Sequence, residues 1–224
     1  LAADLGVPLY ANRFTAGLIA GKLTEQGVAG AVKLNAVDID AAFRVGPFGL
    51  RFTPLAHSIP EMSAVVIDTP HGRIFHSGDW KLDDDPVLGK PTAEPALRAL
   101  GDEGIDVLVC DSTNAFNPEA SGSEGSVRAG LLKAVTEAKG RAIITTFASN
   151  AARLETLGQI AREAGRTLCV AGRSLDRILG VAQANGMLTD FPETVDFDTA
   201  MTLPRGDLMV IATGGQGEPR AALA

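Results

Sequence analysis

Few residues in this chain can do acid–base or metal chemistry, and they fall at telling places. There are three histidines, His57, His71 and His76, and two cysteines, Cys110 and Cys169. His57 closes the strand-like run 50–56 and opens His57-Ser58-Ile59-Pro60-Glu61, while Asp79 follows Ile74-Phe75-His76-Ser77-Gly78. Strand ends joined by a hairpin can bring two such side chains to one edge of a sheet. A histidine nitrogen and a carboxylate oxygen are ligands that zinc accepts alongside thiolate. A carboxylate can also bridge two metal ions about 3.5–4 Å apart. The same pair fits a capping histidine and a turn aspartate, and two ligands do not make a site.

The other candidates divide similarly. His76 should lie within its strand, in a packing or supporting role, and His71, in Pro70-His71-Gly72, reads as an exposed turn residue. Asp111 ends the apolar run 105–110, where open α/β sheets place their active-site crevice. The alternative for Asp111 is an Asx turn closing the strand. Asp83-Asp84-Asp85 lacks the Gly-turn and distal Glu of an EF-hand, and Pro86 ends the run, so a solvated loop is expected. Trp80 either walls a site beside Asp79 or simply packs.

In the second half, three strand-like runs end in small polar residues that open helices: 145–150, Gly172-Arg173-Ser174 and 213–219. Free N–H groups at a positive helix terminus hold phosphate well, yet Ser149, Asn150 and Ser174 serve equally as N-caps. With Arg153 and Arg173 beside them, a phosphate-lined crevice and a set of plain caps are equally good readings. None matches a Walker A or Gly-x-Gly-x-x-Gly pattern.

The elements that must position these residues follow from periodicity. A helix over 15–26 precedes short strands at 32–37 and 42–45, then three β-rich runs at 50–55, 64–68 and 73–76, separated by turn residues. A polar loop over 83–91, a helix over 94–100 and a buried strand over 105–110 complete the first half. From Ser123 helices at 127–139, 151–164 and 175–185 alternate with strands at 142–146, 167–171 and 208–212, the signature of βαβ units on a parallel sheet. Another helix opens at 218–224. The natural boundary lies in Ser121-Gly122-Ser123-Glu124, giving domains at 1–122 and 123–224.

Composition narrows the function classes. With 46% hydrophobic and 21% charged residues the chain is an ordinary globular one, and no apolar run nears the roughly 20 residues that span a bilayer. Both cysteines sit in apolar strand-like runs, so two buried thiols in a reducing cytoplasm are expected rather than a disulfide framework. The net charge of −7 argues against a broad basic groove for nucleic acid. The charge is uneven, however. Residues 1–124 carry 9 basic against 17 acidic side chains, and residues 125–224 carry 11 against 10. Cations suit the first half and anions the second.

Taken in order, these segments resemble ribonuclease J-type enzymes. His57-Ser58-Ile59-Pro60-Glu61 resembles the third metal motif of that family, and His76-Ser77-Gly78-Asp79-Trp80-Lys81 the fourth. Asp111-Ser112-Thr113-Asn114-Ala115 resembles motif A of the β-CASP region, a nucleic-acid-processing module inserted in the metallo-β-lactamase fold. Thr146-Phe147-Ala148-Ser149-Asn150, Gly172-Arg173-Ser174 and the 213–219 segment are similar to stretches lining the nucleotide path, with Gly215 where the family often has Ser.

The resemblance implies an α/β fold: part of a metallo-β-lactamase αββα sandwich at 1–122, followed by part of a β-CASP parallel-sheet domain at 123–224. It further implies that His57 ligates one zinc ion and Asp79 bridges two, so that a complete site holds two Zn2+. Asp79 and Asp111 would be catalytic in hydrolysis of RNA phosphodiesters, by 5′-to-3′ exonuclease and endonuclease action, in cytoplasmic RNA processing and decay, rRNA included. Phe147, Ala148, Ser149, Asn150, Arg173, Ser174 and Gln216 would bind the RNA. A homo-oligomer, dimer or tetramer, with no membrane association, is implied for the full-length protein. The His-x-His-x-Asp-His motif of the fold is absent, and the family order places it before Leu1 and the later β-CASP histidines after Ala224. The isolated chain is therefore expected to bind zinc weakly and cleave nothing. A small-molecule metallo-hydrolase of the same fold and a non-catalytic RNA-binding relative remain as alternatives.

Overall fold

Turn residues at 46–47, 55–62 and 70–71 cut the apolar stretch 42–76 into strands that fold back on one another. In the computed structural model, which describes residues 2–92, 94–119, 121–219 and 221–223, the chain divides into two units, Leu1–Gly122 and Ser123–Ala224. The class is mixed α/β with parallel pairing in both units.

The first unit runs α1 (Ala2–Leu5), β1 (Leu9–Asn12), α2 (Arg13–Glu25), β2 (Leu34–Val37), β3 (Ala42–Val45), β4 (Phe48–Pro54), β5 (Ser63–Thr69), β6 (Gly72–His76), α3 (Glu94–Glu103) and β7 (Val107–Val109). β1 and β2 form a parallel pair. The main sheet has the order β3-β4-β5-β6-β7, antiparallel through β6, with β7 parallel to β6. Ala64 and Val66 of β5 are fully buried while their neighbours are less so, the period of two that a strand with one covered face requires. β6 opens at Gly72, whose φ of +141° favours glycine. A Cβ there would also lie 2.7 Å from Asp106 Oδ2.

β7 differs from expectation. Instead of a buried strand over 105–110 it is a three-residue edge strand, with Val107, Leu108 and Val109 exposed by 48%, 64% and 44%. Its apolar residues allow burial, but the elements described leave them largely uncovered, and its main chain pairs only with β6. Cys110 is likewise exposed, whereas Cys169 is buried, so only one thiol fits the buried-thiol reading. In the Asp83–Asp85 loop, Asp84 and Asp85 are exposed as expected, but Asp83 is not. Asp83 is 4% exposed and pairs with Lys81 Nζ at 2.7 Å.

The second unit runs α4 (Glu124–Glu137), β8 (Ala142–Thr145), α5 (Ala151–Glu163), β9 (Thr167–Ala171), α6 (Arg173–Ala184), β10 (Thr194–Val195), α7 (Phe197–Thr202) and β11 (Leu208–Ala212). All pairs are parallel in the order β10-β9-β11-β8. β11 is buried at every residue, as an unbroken apolar run at the centre of a parallel sheet must be. α5 turns Leu154, Leu157 and Ile160 inward, each fully buried. Two starts move. α6 begins at Arg173 behind Gly172, whose φ is +139°, so Ser174 lies inside the helix and does not cap it. The helix expected at 218–224 is a set of turns where described, with Arg220 and Ala224 outside the described residues. Among the described residues no helix is long and apolar enough to cross a membrane.

Candidate functional site

β4 and β6 run the same way because each is antiparallel to β5, and β7 is parallel to β6. Their carboxyl ends, Pro54, His76 and Val109, therefore share one edge of the sheet. His57, Asp79 and Asp111 follow those ends within three residues and are delivered to the same edge. Lys81 N donates to Ala56 O at 3.1 Å in an isolated antiparallel bridge, which holds the residue before His57 beside the segment after Asp79. Gly78, at φ +63°, makes the turn between β6 and Asp79.

Asp111 carries the clearest electrostatic signature. Its Oδ1 accepts from Thr113 Oγ1 at 2.6 Å and Thr113 N at 2.9 Å. Those two bonds hold the carboxyl below its ordinary value, against a small opposing effect of burial, and the nearby charge of His57 adds to them. Asp111 is thus both an Asx turn and a member of the strand-end edge. Trp80 Nε1 donates to Asp111 O at 3.3 Å, so the indole packs beside the edge and is tied to it. His57 is half-buried with Nδ1 3.1 Å from Ser58 Oγ, and Asp79 is exposed. His76 is exposed, contrary to the packing role expected of it, and its Nδ1 accepts from Gly78 N at 3.1 Å. His71 lies in the exposed β5–β6 turn, its amide on Thr69 Oγ1 at 3.0 Å.

The donor set of this edge, one imidazole and two carboxylates, has the chemistry zinc accepts. It does not close a cage by itself. Among the described residues no group of three or more His, Cys, Asp or Glu side chains is arranged to hold a metal ion.

In the second unit the carboxyl ends of β8, β9 and β11 are level, with Ala212 opposite both Thr145 and Ala171. A cleft of about 460 Å³ opens there, lined by Thr145, Thr146, Phe147, Asn150, Arg153 and Gln216, with Gly215 and Glu218 beyond them. Of the residues singled out in the sequence, Phe147, Asn150, Arg153 and Gln216 line it. Ala148 is half-buried and Ser149 exposed, while Arg173 and Ser174 stand exposed at the start of α6, outside the lining. Asn150 is a true N-cap, Oδ1 accepting from Arg153 N at 2.9 Å. Arg153 is not a free phosphate ligand. Its guanidinium is paired with Glu124 through Nε and, at 3.2 Å, through Nη2. Glu218, within the 213–219 segment, accepts from Gln216 N at 2.9 Å, putting into the cleft a carboxylate to which the sequence had given no role. Thr146 belongs to the stretch already compared with the nucleotide path, whereas Thr145, the last residue of β8, was not named as a ligand. The third segment forms no helix, and Thr213 Oγ1 instead accepts from Ala222 N at 3.0 Å.

The family model described as "Ribonuclease J, beta-CASP domain" matches residues 139–224, the parallel sheet of the second unit from just before β8 onward. Relatives named Ribonuclease J align along nearly the whole chain. The protein of Sinorhizobium meliloti is 40% identical over 220 residues, covering 98% of this chain and 39% of that protein. That of Corynebacterium glutamicum is 41% identical over 218 residues, 97% of this chain and 30% of that protein. That of Thermus thermophilus is 36% identical over 219 residues, with 97% and 38% covered. The chain belongs to the ribonuclease J family, and it spans 30% to 39% of the length of these relatives. It is also similar in fold to a protein of unknown function from Enterococcus faecalis V583 solved by crystallography. That match has a TM-score of 0.62 at 15% identity, and covers 91% of this chain and 53% of that one.

Proposed function

We propose that the protein carrying this chain is a metal-dependent ribonuclease that hydrolyses RNA phosphodiester bonds, both 5′-to-3′ from an end and internally, in cytoplasmic RNA processing and decay. The observation that carries this reading is the delivery of His57, Asp79 and Asp111 to one sheet edge, in a chain whose relatives named Ribonuclease J align with it almost end to end. His57 and Asp79 would hold part of a two-zinc centre within a metallo-β-lactamase domain (1–122), the remaining ligands coming from other residues of the longer protein. Such a centre, when bound, supplies an activated hydroxide and neutralises charge developing on the phosphate.

The chain's own residues do the rest. Thr113 favours the ionised form of Asp111 and fixes its carboxylate, which suits it to orient a ligand at the edge. The exposed ring of Phe147 offers a stacking face for a base. Ala148, Ser149, Asn150 and Gln216, together with Arg173 and Ser174 at the start of α6, would contact the RNA backbone in the β-CASP domain (123–224). Contacts through main-chain N–H groups need no surplus of Lys and Arg, which accommodates the net charge of −7. The enzyme would act as a homo-oligomer on RNA. In the full-length protein, Asp79→Ala should abolish cleavage of labelled RNA and lower the bound zinc. Cleavage at the wild-type rate would refute the assignment.

A further inference from the structure

The loop over 83–92 reaches back to the candidate edge and ends on a hydroxyl in an unusual place. Thr92 Oγ1 accepts from Ala56 N at 2.9 Å and donates to Lys81 O at 3.1 Å. Lys81 N in turn donates to Ala56 O at 3.1 Å. Ala56 immediately precedes His57, and Lys81 lies two residues after Asp79. The regular ladder of β4 and β6 has already ended at Pro54 and His76, so these three hydrogen bonds take over where strand pairing stops.

We infer that Thr92 is a positioning residue, a hydroxyl staple that fixes the spacing of the His57 and Asp79 segments. The inference rests on the reading of those two side chains as metal ligands. One hydroxyl has a single proton and acceptor lone pairs, and here both functions are used, one on each segment. Ala56 is 3% exposed, so water does not readily replace the lost partner of its amide. The loop that presents Thr92 is itself anchored. The Asp83 side chain is 1% exposed and pairs with Lys81 Nζ at 2.7 Å. Gly89, at φ +86°, lies so close to the His57 loop that a Cβ would fall 2.6 Å from Pro60 O. On the loop's other flank, Phe14 N donates to Glu61 Oε2 at 2.8 Å. The His57-to-Glu61 turn is thereby held from both sides, and the Thr92 side chain joins Ala56, just before it, to Lys81, two residues past Asp79. Groups that orient metal ligands without touching the metal cost about 10- to 100-fold in affinity or activity when removed.

The test uses the full-length protein with Thr92→Val, Thr92→Ser, and Asp79→Ala as a control. Thr92→Val should lower kcat on RNA about tenfold or more with KM unchanged, keep one cooperative melting transition, and give up zinc at a lower chelator concentration. Thr92→Ser, which restores the hydroxyl, should recover all three readouts. Wild-type kcat in Thr92→Val overturns the staple, and so does a Thr92→Ser variant as impaired as Thr92→Val, since the methyl group would then be what matters. Should Thr92→Val fail to fold, Thr92→Cys decides: an intermediate kcat supports the staple and wild-type kcat overturns it. An inactive Asp79→Ala beside a fully active Thr92→Val removes the staple alone, whereas cleavage by Asp79→Ala removes the metal reading and the staple with it.

Discussion

The amide of Asp111 donates to Ser77 Oγ at 3.0 Å, and that hydroxyl donates onward to Gly78 O at 2.7 Å. One step earlier Ser77 N donates to Val109 O at 2.9 Å. A side chain therefore extends the β6–β7 pairing past its last backbone rung and fixes where Asp111 sits. Ser77 is 2% exposed, so Ser77→Ala should leave the Asp111 amide without its partner and cost about 1–3 kcal/mol. Urea unfolding of the variant measures this, and an unchanged midpoint would show that the tie is dispensable.

Thr113 favours the ionised form of Asp111. Both bonds from Thr113 favour the carboxylate, so the folded value lies below the ordinary 3.8. A depressed carboxyl contributes stability that is present above its unfolded value and lost as pH falls through its folded value. Thr113→Val removes the hydroxyl and keeps the amide, so Asp111 should titrate at higher pH, though still below its ordinary range. Carboxyl-carbon NMR of the labelled residue reads this directly. A titration that does not move would assign the depression to another cause.

Arg166 bonds three carbonyls on two main-chain segments. Its guanidinium donates to Ala138 O at 2.6 Å, Gly140 O at 2.8 Å and Leu208 O at 3.2 Å, and the residue is 9% exposed. Arg166→Met should destabilise the protein by about 3 kcal/mol, because charged hydrogen bonds are lost and largely buried carbonyls are stranded. Arg166→Lys should recover only part of that, since an ammonium lacks the planar fork that serves three acceptors. Equal melting points for the Lys variant and wild type would contradict the argument.

Asn150 and Ser149, adjacent in sequence, should separate structure from binding. Asn150 caps α5, so Asn150→Ala should cost about 1 kcal/mol of stability. Ser149 is exposed, so Ser149→Ala should leave stability unchanged while weakening RNA binding. Calorimetry alongside RNA titration distinguishes them. A destabilised Ser149→Ala that binds RNA normally would reverse the assignment.

Local patterning in the sequence determined a good deal. The β-branched run 64–68 specified a strand, and the unbroken apolar run Leu208–Ala212 specified another, in a helix–strand rhythm that implied parallel pairing. Turn residues placed His57, Asp79 and Asp111 just past strand ends, and the helix–strand rhythm after Ser123 marked the parallel sheet. Those signals depend on the backbone period alone, which a single stretch of chain contains.

Tertiary structure decided what depends on distant partners. Val107–Val109 has the apolar composition of a core strand, yet β6 pairs with one side only and the strand lies exposed. Asp83 looks like a solvated acid, but Lys81 reaches it and allows its burial. Arg153 looks like a phosphate clamp, but Glu124, distant in sequence, already holds it. Thr92, without any motif, spans the two loops that matter most to the candidate site. Period reports which face of an element can be covered. What covers it, and which charge meets which, is fixed only when segments far apart in the chain come together.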